Sequence, residues 1–242
     1  MTAPALALPV AAAPFAARLR LGFAEGTPAA ALHDRAALAG LLARMRAARP
    51  AADPRALASL VAKAACGAAI PGPLAAAACG LALDVAPGTA RFSLDAAGLP
   101  AALVLPAPRA IDEDAFLAGL FGGLIAPLVE TLAAVSGVSQ RVLWSNAGNV
   151  AAWTLGTLLQ VEEPPPRAAA LYRELHGRER ISWRAGRNPL HRPVLWRLRE
   201  TAGRTPLVHR RRVCCLRDRA GETLCWSCPR LAPALTPRGC PP

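Results

Sequence analysis

Lysine is almost missing from this chain: Lys63 stands alone among 28 basic residues, all the others being arginine. Aromatics are sparse at 5%, and much of the 53% apolar content is alanine, which buries little area, so the hydrophobic drive is weaker than the percentage implies. An Arg/Ala/Pro/Gly excess of this kind follows from a GC-rich coding sequence and carries little functional weight. Residues 1–17 hold no Lys or Arg and are cut by Pro4, Pro9 and Pro14, which argues against a signal peptide. No uninterrupted membrane span stands out either. Residues 64–83 are uncharged but broken by Pro71-Gly72-Pro73, and the apolar run 115–129 stops at Glu130, short of the ~20 residues a crossing needs. Both read as buried helices. No G-x-G-x-x-G or P-loop fingerprint occurs, so electrons are expected from a partner protein rather than from a bound NADPH. No internal repeat is visible.

What is present reads as a packed globular protein, since a charged fraction of 18% is low for a disordered chain. Residues 28–48 place apolar side chains at helical spacing. A second helix is expected over 53–67, with Asp53-Pro54 as cap and first-turn proline. Residues 90–106 read as two short strands around an Ala96–Gly98 turn, a hairpin. Helix is expected again over 112–135, opening on Asp112-Glu113-Asp114, whose charge suits a helix N-terminus. One more apolar helix covers 147–160. Glu162-Glu163-Pro164-Pro165-Pro166 then breaks the chain. A helix from Arg167 to about His176 follows, and the arginine-rich stretch 177–212, with Pro189, Pro193 and Pro206, reads as irregular.

The basic charge is uneven. Residues 201–242 carry eight arginines against Asp218 and Glu222, a net +6 out of +12 for the whole chain. Such a field attracts anions, although a solvated basic face explains any such cluster about as often. Here the arginines flank cysteines. Within Arg211–Leu231 an adjacent pair, Cys214-Cys215, is followed by nine residues and then Cys225-x-x-Cys228. Four thiolates so close together are a full ligand set for a [2Fe-2S] cluster or a tetrahedral zinc. Neighbouring side chains on an extended strand point to opposite faces, so the Cys-Cys half needs a local bend. A single zinc usually prefers two C-x-x-C knuckles, whereas two bridged irons tolerate a less regular donor set. A [2Fe-2S] cluster with four thiolates has net charge minus two, and one electron makes it minus three. Arg211, Arg212, Arg217, Arg219 and Arg230 would stabilise that electron. Trp226 would shield the sulfurs, or simply anchor a small domain. Two other readings stay open: structural zinc in a nucleic-acid-binding tail, and a Cys225/Cys228 dithiol, which leaves Cys214 and Cys215 without a role.

The run HRRRVCCLRDRAGETLCWSCP resembles the C-terminal motif of FhuF-type ferric-siderophore reductases, Cys-Cys-x10-Cys-x2-Cys, with nine residues here where the family has ten. Arg187-Asn188-Pro189-Leu190 and Arg141-Val142-Leu143-Trp144-Ser145-Asn146 are also similar to this family, which often shows a Trp-x-Asn element. The resemblance is specific over about 187–231 and weaker over about 90–160. It implies that Cys214, Cys215, Cys225 and Cys228 bind a [2Fe-2S] cluster, and that the protein passes one electron to Fe(III) in an imported siderophore, often a hydroxamate. Hard oxygen donors suit Fe(III) and hold Fe(II) far less well, so one electron loosens the metal.

The other candidates carry plainer readings. Cys66 and Cys79 sit in alanine-rich helical surroundings and are expected to be buried and inert. Cys240 reads as an exposed spectator, and His209 as a neighbour of the cluster rather than a ligand. His33, His176 and His191 have no partner spacing. Trp144 and Asn146 would line a substrate cleft or make core contacts, while Arg180, Arg184, Arg187 and Arg192 would bind an anionic siderophore or an acidic donor such as a ferredoxin, or remain solvated. The expected architecture is a mainly helical α+β protein. It comprises a substrate-facing region with a β-hairpin over 1–161, an arginine-rich linker and helix over 162–204, and a cluster-binding segment over 205–242. A cytoplasmic setting, peripheral inner-membrane association at most, and no nucleic-acid partner complete the expectation.

Overall fold

Four short polar side chains each stand one residue before a helix and close its first turn. The Asp34 carboxylate accepts from the Ala37 N–H at 2.7 Å, Asp53 from Arg55 at 2.9 Å, Asp112 from Ala115 at 2.8 Å, and the Ser139 hydroxyl from Arg141 at 3.2 Å. Each such cap is worth about 1 kcal/mol. The computed structural model describes residues 8–198 and 207–231. The caps open α1 (Arg35–Ala48), α2 (Pro54–Ala69), α4 (Glu113–Leu117) and α6 (Gln140–Leu158), with α3 (Pro71–Ala78), α5 (Ala126–Ser136) and α7 (Ala168–Tyr172) completing the helices. With about 49% helix and 13% strand, the protein is a mainly helical α+β fold.

The expected hairpin is β3 (Arg91–Leu94) with β4 (Pro100–Leu105), in antiparallel register at Phe92↔Leu103. Its turn is built by Asp95, whose carboxylate accepts from the N–H groups of Ala97 and Leu99, while Gly98 takes φ +78°. Two strands near the N-terminus extend this sheet. β1 (Leu19–Leu21) pairs in parallel with β4, and β2 (Thr27–Pro28) pairs with β3, giving the order β1-β4-β3-β2.

Helix α2 runs through the middle of the core. Ten of its 16 residues are buried, most of them alanine, and small side chains let α5, α6 and the sheet approach its axis. The 25-residue stretch Pro54–Ala78 and the 24-residue Glu113–Ser136 are long and apolar enough to cross a membrane by length and composition, but 78% and 56% of their most apolar windows lie inside the fold. Both are buried helices, as expected, although the second is longer than its apolar run implied. It stays continuous through a π segment, Ala118–Ile125, where the Ala126 N–H reaches back to the Phe121 carbonyl. Pro127 has no N–H to give and its ring crowds the preceding turn, so the wider turn relieves it. Phe92, Phe116 and Phe121 are fully buried, at roughly 1.5–3 kcal/mol each.

Three expectations change. The helix expected over 28–48 starts only at Arg35, after a 3-10 turn at Ala29–His33; the one expected over 147–160 begins at Gln140; and the stretch read as irregular contains a second sheet. There β5 (Val194–Leu198) and β6 (Leu207–Arg211) pair antiparallel, with Trp196 opposite His209. The buried residues of β6 are His209 and Arg211, so the inward face is polar and the usual apolar alternation is hidden.

Candidate functional site

The four cysteines follow β6 directly, and the chain there supplies the bend that the Cys-Cys pair requires. Leu216 adopts a left-handed conformation, φ 59°, and a 3-10 turn at Arg217–Ala220 follows. The Leu216 N–H points back to the Cys214 sulfur at 3.4 Å, and the Cys228 N–H donates to the Cys225 carbonyl at 2.9 Å. Cys215, Cys225 and Cys228 are buried, with Cys214, Leu224 and Leu231 packed on them, a small cluster apart from the main core. The Cys215 and Cys225 sulfurs lie 3.8 Å apart. Among the described residues, no three His, Cys, Asp or Glu side chains close on a single point.

Backbone bonds seat this segment on three elements. The Arg211 N–H donates to the Ser227 carbonyl at 2.9 Å, the Arg212 N–H to Pro193 at 3.1 Å, and the Asp53 N–H, at the mouth of α2, to Arg219 at 2.9 Å. From α6, Asn149 Oδ1 accepts from the Ser227 hydroxyl at 3.1 Å and from His209 Nε2 at 3.2 Å. Trp226 is half-buried and meets the His209 ring edge-on at 4.5 Å. Burial, then the nearby Arg211 charge, lowers the His209 pKa to about 4. Histidine 209 is therefore a neutral packing partner.

Arg211 is the buried charge of the site, 3% exposed. Its Nη2 donates to the Ser145 carbonyl at 2.8 Å and to Asn146 Oδ1 at 2.6 Å. Asn146 is itself fully buried and donates to the Ser59 carbonyl and hydroxyl on α2. Lys63, one turn further along α2, is half-buried. Its pKa is lowered by burial and then by Arg217, while Cys215 and Cys225 pull the other way. The Cys215–Cys225 hydrogen bond lowers the Cys215 pKa against its burial, helped by Arg211, the Arg217 N–H and Lys63, while the same bond and burial raise the Cys225 pKa. Burial raises Cys214.

In kind and number this donor set fits a [2Fe-2S] cluster, which spreads its ligands over two irons rather than one point. Four cysteines pack in one small cluster, and Arg211, a buried guanidinium whose Nε has no hydrogen-bond partner, acts on Cys215 and Cys225 through its charge. Among the described residues neither Arg211 nor Lys63 forms a salt bridge, although the Glu222 carboxylate, paired with Arg217 and Arg49, also feels the Lys63 charge. Buried cations need a compensating anion, and a thiolate-bound cluster carries that sign.

A family model described as "Ferric iron reductase FhuF-like transporter" matches residues 59–203. The chain belongs to this FhuF-like family. Membership points to a role in iron reduction or transport, and no curated protein matches it. The stretch shared with the FhuF-like family contains Ser59, Lys63, Asn146 and Asn149 but ends before Cys214.

The remaining candidates have plain positions in this FhuF-like chain. Trp144 and Asn146 are core residues rather than cleft lining. Trp144 is 4% exposed, 6.1 Å from the Trp183 ring and beneath the Arg184 guanidinium. Arg184 also reaches Glu130 at 3.6 Å, whereas Arg180, Arg187 and Arg192 are exposed. Asn188 clips its own loop, donating to the carbonyls of Leu175 and Arg178 and accepting from the Leu190 N–H. Cys66 is fully buried and its thiol pKa is pushed up to about 12 by desolvation, while Cys79 is only half-buried. Cys240 lies outside the described residues. No local pattern marks Ser59 or Asn149 as part of the site, and the one sequence signal for Lys63 is that it is the sole lysine.

Proposed function

We propose that this protein reduces siderophore-bound Fe(III) to Fe(II) in the cytoplasm, one electron at a time, using a [2Fe-2S] cluster on Cys214, Cys215, Cys225 and Cys228. The observation that carries the reading is the packing of four cysteines into one small cluster directly after β6, whose buried Arg211 has no carboxylate partner among the described residues. When bound, the cluster would supply a one-electron store. A one-electron protein donor of ferredoxin type would provide the electron, and the ferric chelate would take it. No bond in the chelator breaks and no proton need move, because Fe(II) is held weakly by hard oxygens.

The chain's own residues have defined tasks in this scheme. Cys214 is the more exposed of the four sulfurs, so the short approach for donor and acceptor is from its side. Trp226, inside the C-x-x-C loop, packs edge-on against His209, and the pair would limit water access from that side. Exposed Arg212 and Arg192, brought together where the Arg212 N–H meets Pro193, offer a positive edge to an anionic siderophore or an acidic donor. Any membrane association would be peripheral.

Protein purified anaerobically should be red-brown, contain iron and inorganic sulfide, and give an EPR signal after dithionite. Cys225→Ser should bleach it, and ferric hydroxamates should reoxidise the reduced protein, with Fe(II) trapped by a ferrous chelator. Colourless protein with one zinc per chain would overturn the reading.

A further inference from the structure

Five arginines flank the cysteines in the sequence, yet the fold disposes of most of them. Arg217 pairs with Glu222 at 3.0 Å, Arg219 lies 3.6 Å from Asp53, and Arg230 pairs with Asp218. Each of those charges is offset by a carboxylate, and Arg212 is exposed, where water and salt screen it. Only Arg211 is buried. On α2, Ser59, Lys63 and Cys66 follow one another at helical spacing, so one stripe faces the site. Ser59 touches Asn146, and Asn146 grips Arg211.

We propose that Lys63 and Arg211 are positioning residues for electron transfer, a pair of core-side cations that offset the negative charge of the cysteine site from its buried flank, with Ser59 and Asn146 fixing Arg211 in place. The inference rests on the reading of the cysteines as cluster ligands. A charge in a low-dielectric, water-poor position acts over several ångströms with little screening. An added electron beside it is stabilised, and the midpoint potential rises. Lysine suits the role at position 63 because its compact ammonium turns freely, whereas the planar guanidinium of Arg211 is held by two fixed acceptors.

The test is an EPR-monitored redox titration of cluster-loaded wild type, Lys63→Met, Lys63→Arg and Asn146→Asp, with iron and sulfide measured for each. At the potential where wild type is half reduced, Lys63→Met should show a reduced-to-oxidised ratio about tenfold lower, a shift of ~59 mV to more negative potential. Lys63→Arg should restore most of it. Asn146→Asp, which sets a carboxylate against Arg211, should shift the potential in the same direction although Arg211 is retained. Should Asn146→Asp not fold, Lys63→Met on its half-buried site still decides the matter. Fully loaded Lys63→Met with the wild-type midpoint overturns the proposal, and so does a Lys63→Met that takes up no iron beside a loaded wild type. Wild type without iron or sulfide would instead remove the ligand reading beneath it.

Discussion

His176 shows how burial decides the chemistry of one side chain. It is 2% exposed, its Nδ1 donates to the Leu190 carbonyl at 2.9 Å, and Nε2 has no partner. Desolvation lowers its pKa to about 4. Below pH 6.5 the unfolded chain takes up a proton that the native ring refuses, so stability falls as pH drops towards 4. The loss is on the order of 3 kcal/mol at the acid end, from about 1.4 kcal/mol per unit. Urea unfolding between pH 7 and 4.5 should show a shallower decline for His176→Gln than for wild type. Equal slopes would mean the imidazole is charged in the native state. Nothing in the spacing around His176 announced this, because its burial comes from the 177–192 loop folding back over it through Asn188.

At the scale of elements, α6 is the platform for the β5–β6 hairpin that leads into the cysteine segment. Gly148, Ala152 and Gly156 recur every fourth residue and so share one face. A β-carbon at Gly148 would stand 2.6 Å from Pro193, and one at Gly156 2.2 Å from the Trp196 ring. Gly156→Ala should therefore displace Trp196, break its bond to the Tyr172 hydroxyl and lower Tm by several degrees, for a cost of about 1–3 kcal/mol. Thermal unfolding followed by Trp fluorescence would show it, and an unchanged Tm would mean that the hairpin is not seated there. The openings at Asp53 and Asp112 and the Ala96–Gly98 turn were legible from sequence because each acts within about four residues, whereas the cap at Asp34 fell inside, and that at Ser139 outside, the expected helix bounds. The second sheet was not: prolines bracket it, and His209 and Arg211 occupy the inward positions where an apolar pattern was sought.

On the scale of the whole molecule, one large core draws on residues from Ala12 to Ala220, while the cysteines form their own small cluster. The C-terminal segment buries little apolar area and depends on backbone bonds to α2, the 188–193 loop and β6. A bound metal group would then be part of its folding energy. Stripping iron with a chelator should leave the far-UV CD near its native value but open the segment to trypsin, with early cleavage at Arg217, Arg219 and Arg230 seen by mass spectrometry. Equal digestion of loaded and stripped protein would show that the segment holds itself together.

The sequence by itself determined what depends on near neighbours: the capped helices, the β3–β4 hairpin, the grouping of four cysteines and the resemblance that membership of the FhuF-like family bears out. Only the tertiary structure decided which charges stand behind those cysteines. Ser59 and Asn146 are 87 residues apart, and Asn146 and Arg211 are 65 apart. A field inside a protein depends on distance in space, on burial and on which cations already have carboxylate partners, and no local pattern of residues encodes those three.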